Sequence, residues 1–347
     1  MKIPKYLSLD EKKSSFNEYK CINNIEDFKC WYESLSNDGS IFRGLSEAKY
    51  KNFTSAQRHN IIADYEDLPF QTQIMLELDE LRKSNNNLLE RYCKNLRIPC
   101  TDLYLLSFAQ HYGGIAPMLD FTKDYNTALF FMTDGASFSP GGVGDECCQD
   151  ISNYSSFYYI NNNEISRTSD FLHAYNDSVE SLAEDDGKKK ELNVPQVINI
   201  QGVIDFLLSQ GVINNNLETI LSYNYLCNFV FTPALIQNGR MIPLLIDNSP
   251  ISIKEDGKTS SFFLTITNLN IESQHGCFLL HTHYNYPLEK ELSCVDIHKS
   301  LIPFIEQKIL VPKGINKQSI YPSEESIVKD SFYKSLGRED YMKYYYA

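Results

Sequence analysis

Residues 125–134 read YNTALFFMTD, and from Phe157 onward the pattern changes to short apolar runs. The first run is apolar on most sides, so it predicts a helix sunk in the core rather than one lying on the surface. The later runs are FYYI (157–160), VINI (197–200), CNFVFT (227–232), RMIPLLI (240–246), SFFLTITNL (261–269) and CFLLHTHY (277–284). Runs this short, separated by polar turns, predict a mostly antiparallel sheet. Toward the amino terminus the periodicity is helical. Ile25, Phe28, Trp31, Tyr32 and Leu35 share one 3.6-period face, with Asn24 placed to cap it and Asn37-Asp38-Gly39 to stop it. Ser40 to Gly44 then reads as a short strand. Leu68 to Tyr92 suits surface-lying helices joined near Ser84-Asn85-Asn86-Asn87, and Leu103 to His111 suits another. The fold class expected is α+β, with early helices packed on a late, mostly antiparallel sheet.

Outside these elements, residues 1–19 read as a loose N-terminal arm and residues 20–347 as one domain, since no repeat or linker divides them. Gly135 to Cys148 is a glycine-rich loop, and Leu182 to Glu191 is a solvated loop by its charge run. The ending, Leu301 to Ser335, reads as a short strand at KILVP (308–312), a turn and a terminal helix.

Of the 347 residues, 42% are hydrophobic and 22% charged, which excludes disordered, collagen-like and coiled-coil chains. The 32 basic and 45 acidic residues give a net charge of −13, a field that repels nucleic-acid backbones unless a local pocket of arginines overcomes it. No run approaches the roughly 18 apolar residues of a membrane span, and the charged start MKIPKYLSLDEKKSS is unlike a signal peptide. The expectation is a cytoplasmic chain with no membrane partner. Nine cysteines, odd in number and without a CxxC pair, point to reduced thiols rather than disulfides or a zinc finger, so no metal is expected.

Three segments set unusual polar residues among apolar neighbours. In Phe42-Arg43-Gly44 a strand end carries a guanidinium beside a glycine that would let a ligand approach the backbone. The rival reading is an ordinary ion pair. In Gln110-His111-Tyr112-Gly113 and Leu119-Asp120-Phe121-Thr122, polar groups gather before the buried helix. There Asp120 or Thr122 either caps orphan amides or lines an anion site at the helix start. In Glu272-Ser273-Gln274-His275-Gly276-Cys277-Phe278 a polar turn enters a strand, with Glu272 and Gln274 expected on one face. His275, Cys277, His281 and His283 alternate along that strand, a spacing that can chelate zinc and more commonly packs as plain side chains.

In order and spacing these segments resemble the FRG domain family, which typically shows Phe-Arg-Gly, then Gln-His-Tyr-Gly running through Leu-Asp-Trp-Thr into Ala-Leu-Phe-Phe, then Gln-x-Gly-x-Phe. The counterparts here are Phe42 to Gly44, Gln110 to Gly113, Leu119 to Thr122, Ala128 to Phe131 and Gln274 to Phe278. Lys313 to Pro322 resembles the family's C-terminal Gly-Ile and Tyr-Pro ending. The chain departs from the family where Gly114-Ile115-Ala116-Pro117 replaces a usual Leu-Pro-Thr-Arg, where Phe121 replaces Trp, and where Asn270 replaces a frequent Arg.

The resemblance implies a bacterial protein of mobile elements, stress response or phage defence. The motif order is also similar to that of ADP-ribosyltransferases of the Arg-Ser-Glu type. This similarity implies an ADP-ribosyltransferase-like fold with NAD as substrate, a toxin or defence effector, a protein or nucleic-acid target and a neutralising antitoxin. Under it, Arg43, Gly44, Tyr112 and Thr122 would hold the nucleotide, while Glu272, Asp120, Gln274 and His111 would be the catalytic set. A carboxylate is needed because loss of nicotinamide builds positive charge on the ribose, and an Arg is needed to neutralise the diphosphate. A nucleotide-binding or sensor module without chemistry, and a hydrolase built on His111 and Asp120, remain open beside the transferase.

Overall fold

FYYI, the end of RMIPLLI and the start of CFLLHTHY become strands of one eight-stranded mixed sheet in the computed structural model. It describes residues 2–63, 70–96, 100, 102–137, 150–167, 236–237, 240–241, 244–246, 251–255, 258–262, 268–281 and 286–323. Among these the helices are α1 (Leu9–Lys13), α2 (Ile25–Glu33), α3 (Ser55–Ala63), α4 (Phe70–Leu96), α5 (Asp102–His111), α6 (Tyr125–Thr133), α7 (Leu269–Ser273), α8 (Ile302–Ile305) and α9 (Lys317–Ile320). The main strands are β1 (Glu18–Ile22), β2 (Ile41–Leu45), β3 (Met118–Thr122) and β4 (Tyr154–Ile160), followed by the short β5 (Ser166–Arg167), β6 (Ile236–Gln237), β7 (Arg240–Met241) and β8 (Leu244–Ile246). After them come β9 (Ile251–Glu255), β10 (Lys258–Phe262), β11 (Gly276–Leu280) and β12 (Ser293–His298).

The order across the sheet is β1-β12-β4-β2-β3-β11-β8-β5. The pairs β1–β12 and β5–β8 are parallel, and the remaining neighbours are antiparallel. The α+β class therefore holds, with a refinement: three sheet strands precede residue 125 and are interleaved with the helices. VINI, CNFVFT, the loop at 182–191 and most of the glycine-rich loop lie outside the described residues, as does the terminal helix beyond 323.

Strand alternation distributes the core over both sheet faces. Tyr154, Tyr158 and Ile160 of β4 join Ile41, Leu119, Phe121, Cys277 and Leu279 on one face. Phe157 points the other way, with Phe42, Val295 and the α6 residues Ala128, Leu129 and Met132. Met118, Phe278 and Leu280 pack with Ile74 and Leu78 of α4 and Leu105 and Leu106 of α5. α2 starts at Asn24, whose side chain accepts from the Asp27 amide, and α4 breaks into two helices at Ser84–Asn87, where the three asparagines take positive φ.

Two expectations are corrected. The opening residues are not a loose arm, because Tyr6, Lys12 and Phe16 are buried. The fully buried Lys12 ammonium donates to Asp296 Oδ1 at 2.7 Å, Ser156 Oγ at 2.6 Å and the Ala48 carbonyl at 3.0 Å. Tyr19 completes the pocket by donating to Asp296 Oδ2. Burial opposes the lysine's charge, and the negative surroundings, Asp296 foremost in geometry, outweigh it and raise its pKa. KILVP is not a strand either. Residues 299–313 form a continuous helical run of mixed pitch, in which Ile305 and Leu310 are buried while Val311 is left exposed. A one-sided apolar stripe suits a helix, whereas the strand reading rested on a short β-prone run alone.

Replacing Lys12 by Ala leaves the Asp296 carboxylate buried and unpaired, so unfolding by urea should show a loss of about 3–5 kcal/mol. Lys12→Met combined with Asp296→Leu should lose less than either single change, because no charge is then stranded. An unchanged midpoint for Lys12→Ala would show that the opening segment carries no stability.

Candidate functional site

β2 and β3 meet at one residue pair, Phe42 opposite Thr122. Past that pair β2 continues along β4 as far as Leu45, and β3 runs along β11 to Met118. The gap between the two strands opens into a cavity of about 560 Å³. That size lies inside the range of roughly 300 to 1,000 Å³ common for small-molecule sites. The wall is formed by residues 42–46 of β2 and its end, Gln110, His111 and Tyr112 at the end of α5, residues 120–122 of β3, Phe131 and Asp134 of the α6 end, Asn270, Ile271 and Gln274 around α7, and residues 276–278 of β11. Tyr321 stands at its edge.

The three residues of the Phe-Arg-Gly segment have different tasks. Phe42 is core, packed edge-on to Tyr125 and tilted against Phe157. Arg43 enters the cavity, where Nη1 donates to the Asp120 carbonyl at 2.6 Å. Among the described residues no carboxylate forms an ion pair with it, and its buried Nε has no hydrogen-bond partner. Burial pushes its pKa down, Asp120 pulls it back up, and a guanidinium stays charged under both. The ion-pair reading of Arg43 finds no partner among the described residues. Gly44 lines the cavity and also has a packing role: a Cβ there would lie 1.9 Å from the Ala128 carbonyl oxygen and 2.5 Å from the Met132 amide. The glycine admits helix α6 against the strand, so its bareness serves the packing of the cavity wall.

Asp120 is exposed to the cavity, and its Oδ2 accepts from Gln110 Nε2 at 2.9 Å. His111 is half-buried, and burial lowers its pKa below 6.5 against the opposing pull of Asp120. Tyr112 is 64% exposed, leaning on Phe108 and edge-on to His111, and offers a ring at the mouth.

Neither Asp120 nor Thr122 caps α6. That role belongs to Asp124, whose carboxylate accepts from the amides of Asn126 and Thr127 and from the Thr127 hydroxyl. Burial would raise this carboxyl, and the hydrogen bonds from Thr127 and Asn126 outweigh it, so its pKa is lowered. With a carboxylate already seated there, the helix start has no vacancy for a ligand anion. Thr122 instead links motifs: its hydroxyl donates to the Gln274 carbonyl at 2.6 Å and accepts from the Asp124 amide at 3.1 Å.

The third segment is not one strand. α7 ends at Ser273, Gln274 caps it, and His275 takes a left-handed φ of 48° before β11 starts at Gly276. Gln274 lines the cavity, yet its Nε2 is held by the Ile320 carbonyl at 3.1 Å. Glu272 lies on the exposed side of α7 and is not part of the cavity wall. The expected shared face of Glu272 and Gln274 is lost because a helical turn, not a strand, separates them. The alternating histidines do not converge either: His275 is exposed in the turn, Cys277 is buried in the core, and His281 Nε2 lies 2.5 Å from the Tyr286 carbonyl. His283 lies outside the described residues.

Two residues at the site carried no local pattern. Arg58 on α3 is a second guanidinium whose pKa burial lowers, against the opposing pull of the Asp120 charge. Asn270 stood out only as a departure from an Arg, and it proves to face the cavity with its Oδ1 buried and unpartnered.

Residues 38–139 match the family model of the FRG domain, which spans the first two motif segments and ends before the third. No curated protein and no solved structure matches the chain.

Gly44→Ala should destabilise the fold by at least the roughly 1–3 kcal/mol of an overpacked core, and thermal melting will read it, since helix α6 must retreat from β2. A wild-type melting temperature would show that the close approach is dispensable. Asp124→Ala should cost about 0.5–2 kcal/mol as a lost cap. Because the Asp124 pKa is depressed on folding, that contribution is present above the unfolded value of 3.8 and disappears as pH falls through the folded one.

Proposed function

Since an FRG domain spans residues 38–139 of this chain, we propose that its Phe-Arg-Gly arginine, Arg43, anchors a nucleotide-type anion in the cavity between β2 and β3. The observation that carries this reading is the state of that side chain: a charged guanidinium on a cavity wall, with no ion pair among the described residues. A phosphate oxygen that meets this guanidinium from the cavity would make a charge-assisted hydrogen bond, stronger than one between neutral groups. In a chain of net charge −13, such a cation also decides where an anion can enter.

NAD is the ligand this reading favours, with ADP-ribosyl transfer or NAD glycohydrolysis as the reaction. The bond from the ribose C1′ to the nicotinamide nitrogen breaks, the ring leaves with the bonding pair, and a carboxylate stabilises the cationic sugar. Of the two carboxylates on the cavity wall, Asp120 and Asp134, Asp120 is the one that acts on His111, whose lowered pKa suits it to take a proton from an attacking water or target hydroxyl. A toxin or phage-defence effector acting on a protein or nucleic acid, with an antitoxin to restrain it, is the setting that fits such an enzyme. The placement of Glu272 away from the cavity supports the second reading, in which the same pocket senses a nucleotide without cleaving it.

Arg43→Ala should weaken NAD binding in calorimetry by one to two orders of magnitude, roughly the worth of a hydrogen bond to a charged group. Its melting temperature should stay near wild type, because no buried ion pair is broken. Arg43→Lys keeps the charge, loses the two-pronged contact and should fall between them. Wild type that neither binds NAD nor releases nicotinamide would reject the NAD reading, and binding without release would select the sensor. If cleavage occurs, its rate should be flat above pH 7 and fall as His111 takes up a proton below 6.5, a fall that His111→Gln should remove.

A further inference from the structure

We infer that the end of α6 gives the cavity a cation-receiving subsite, in which the Asp134 carboxylate and the rings of Phe131 and Tyr321 take a flat, positively charged ring of the pyridinium class. This rests on the reading of Arg43 as the anion anchor and specifies the charge on another part of the same ligand. Phe131, Asp134 and Tyr321 all line the cavity. Among the described residues the Asp134 carboxylate has no hydrogen bond or ion pair, and neither of its oxygens is closed off from solvent. Asp120, the other carboxylate on the wall, is engaged: it accepts from Gln110, and its charge acts on Arg43 and Arg58.

The position of Asp134 runs against helix electrostatics. α6 spans nine residues and ends at Asp134 as its C-cap, with no basic side chain in its last turn. The unpaired carbonyls of a helix end carry partial negative charge, so a carboxylate there is repelled and a cation is attracted. The fold gains nothing from this carboxylate, whereas a cationic ligand gains from it and from the helix end together. The rings add to that attraction. Phe131 and Tyr321 have their centroids 6.2 Å apart at 65°, and Tyr321 is 40% exposed, which leaves part of its surface open to a partner. Aromatic faces attract cations, and more strongly where water is excluded. Burial raises the pKa of the Tyr321 hydroxyl and the charge of Asp134 adds to it, so the phenol stays neutral beside the carboxylate. Ser273 Oγ and Gln274 Nε2 both donate to the Ile320 carbonyl, at 3.0 and 3.1 Å, and so fix the residue preceding Tyr321 before any ligand arrives. Preorganisation of this kind reduces the ordering cost that binding must overcome.

The two charges enter from different sides of β2. Phe42 and Gly44 face α6, while Arg43 between them pairs with Tyr158, whose ring belongs to the core on the opposite face. Asp134 belongs to α6 itself. A guanidinium and a carboxylate in one cavity, each without an ion-pair partner among the described residues, select a ligand that carries both signs. An oxidised nicotinamide nucleotide has that chemistry, with a phosphate in one part and a pyridinium in another. Reduction turns the ring into a neutral dihydropyridine and leaves the phosphate as it was. Asp134 is then a specificity-determining residue, reading the charge of the ring and thereby its oxidation state.

The test uses the full chain, ligand-observed NMR titrations, and three probes: oxidised nicotinamide mononucleotide, its reduced form, and ribose 5-phosphate, which has no ring to dock. Wild type should bind the oxidised mononucleotide about tenfold more tightly than the reduced one, the order expected of a cation set against a carboxylate and aromatic faces. Asp134→Asn should erase that ratio by weakening the oxidised form alone, with the reduced form and ribose 5-phosphate unchanged. Asp134→Glu keeps the charge and should keep most of the ratio. The melting temperature of Asp134→Asn should equal or exceed that of wild type, since a carboxylate is removed from a helix end that disfavours it. Arg43→Ala should weaken all three probes. Equal binding of the oxidised and reduced forms by wild type, or a ratio that survives in Asp134→Asn, would overturn the cation subsite and leave the Arg43 anchor standing. A ratio lost in Asp134→Asn while Arg43→Ala leaves ribose 5-phosphate binding unchanged would sink the anchor and keep the subsite. Failure of wild type to bind any probe would overturn both.

Discussion

A lysine ammonium with no access to water, held by the Asp296 carboxylate, is the contact on which the rest of this fold depends. Lys12 reaches from the first helix to β12 through Asp296, to β4 through Ser156, and to the chain after β2 through the Ala48 carbonyl. The rings of Tyr6, Phe16 and Tyr158 surround it at 5.1 to 6.0 Å. A charge in such a place tolerates few arrangements, because every partner it loses leaves a desolvated group behind. The strands it ties together are therefore held in one register. The segment that leaves β2 is fastened at two further points, the Tyr6 amide to the Lys49 carbonyl and the Ala48 amide to the Tyr154 carbonyl. The end of β2 that carries Arg43 is anchored from behind by this cluster.

From the front, β2 is set by α6. Contact between a strand and a helix backbone at the distance seen over Gly44 is open only to a residue without a side chain. The close approach brings Phe131 and Asp134 to the cavity wall while Phe42 fills the core beneath. Three consecutive residues thus divide into core, site and packing, as strand alternation and one missing Cβ allow. The cavity itself is a consequence of β2 and β3 sharing a single pair: the ladder that would have closed the gap is spent on β4 and β11 instead.

Much of this was legible from local pattern. The apolar face of α2 and its Asn24 cap, the sunken α6, the break in α4 and the strand runs at 157–160 and 277–280 all follow from periodicity and turn chemistry, which act over a few residues. The errors share a different cause. Composition before α6 points to Asp120 and Thr122 as readily as to Asp124, because it does not say which residue has the extended backbone a cap needs. Glu272 and Gln274 were placed on one strand because the turn of α7 is short and its stop, a left-handed His275, has no distinctive residue type. The helical run that includes KILVP lies against the α2 and α6 layer, and that burial outweighed a weak β preference.

By itself the sequence determined the fold class, the positions of α2 and α6 and of the strands at 157–160 and 277–280, and which polar segments stood against the grain of their neighbours. Those properties depend on hydrophobic periodicity and backbone preference, and both are written within a dozen residues. Only the tertiary structure decided which of the singled-out residues meet. Arg43, His111, Asp120, Thr122 and Gln274 share one cavity across 232 positions of sequence, while Glu272, two positions from Gln274, does not. It also decided that Lys12 belongs to the core, because a lysine among charged residues is indistinguishable from a solvated one until a carboxylate 284 positions away is brought against it. Partnership at that range is set by how strands pair, and no local pattern encodes it.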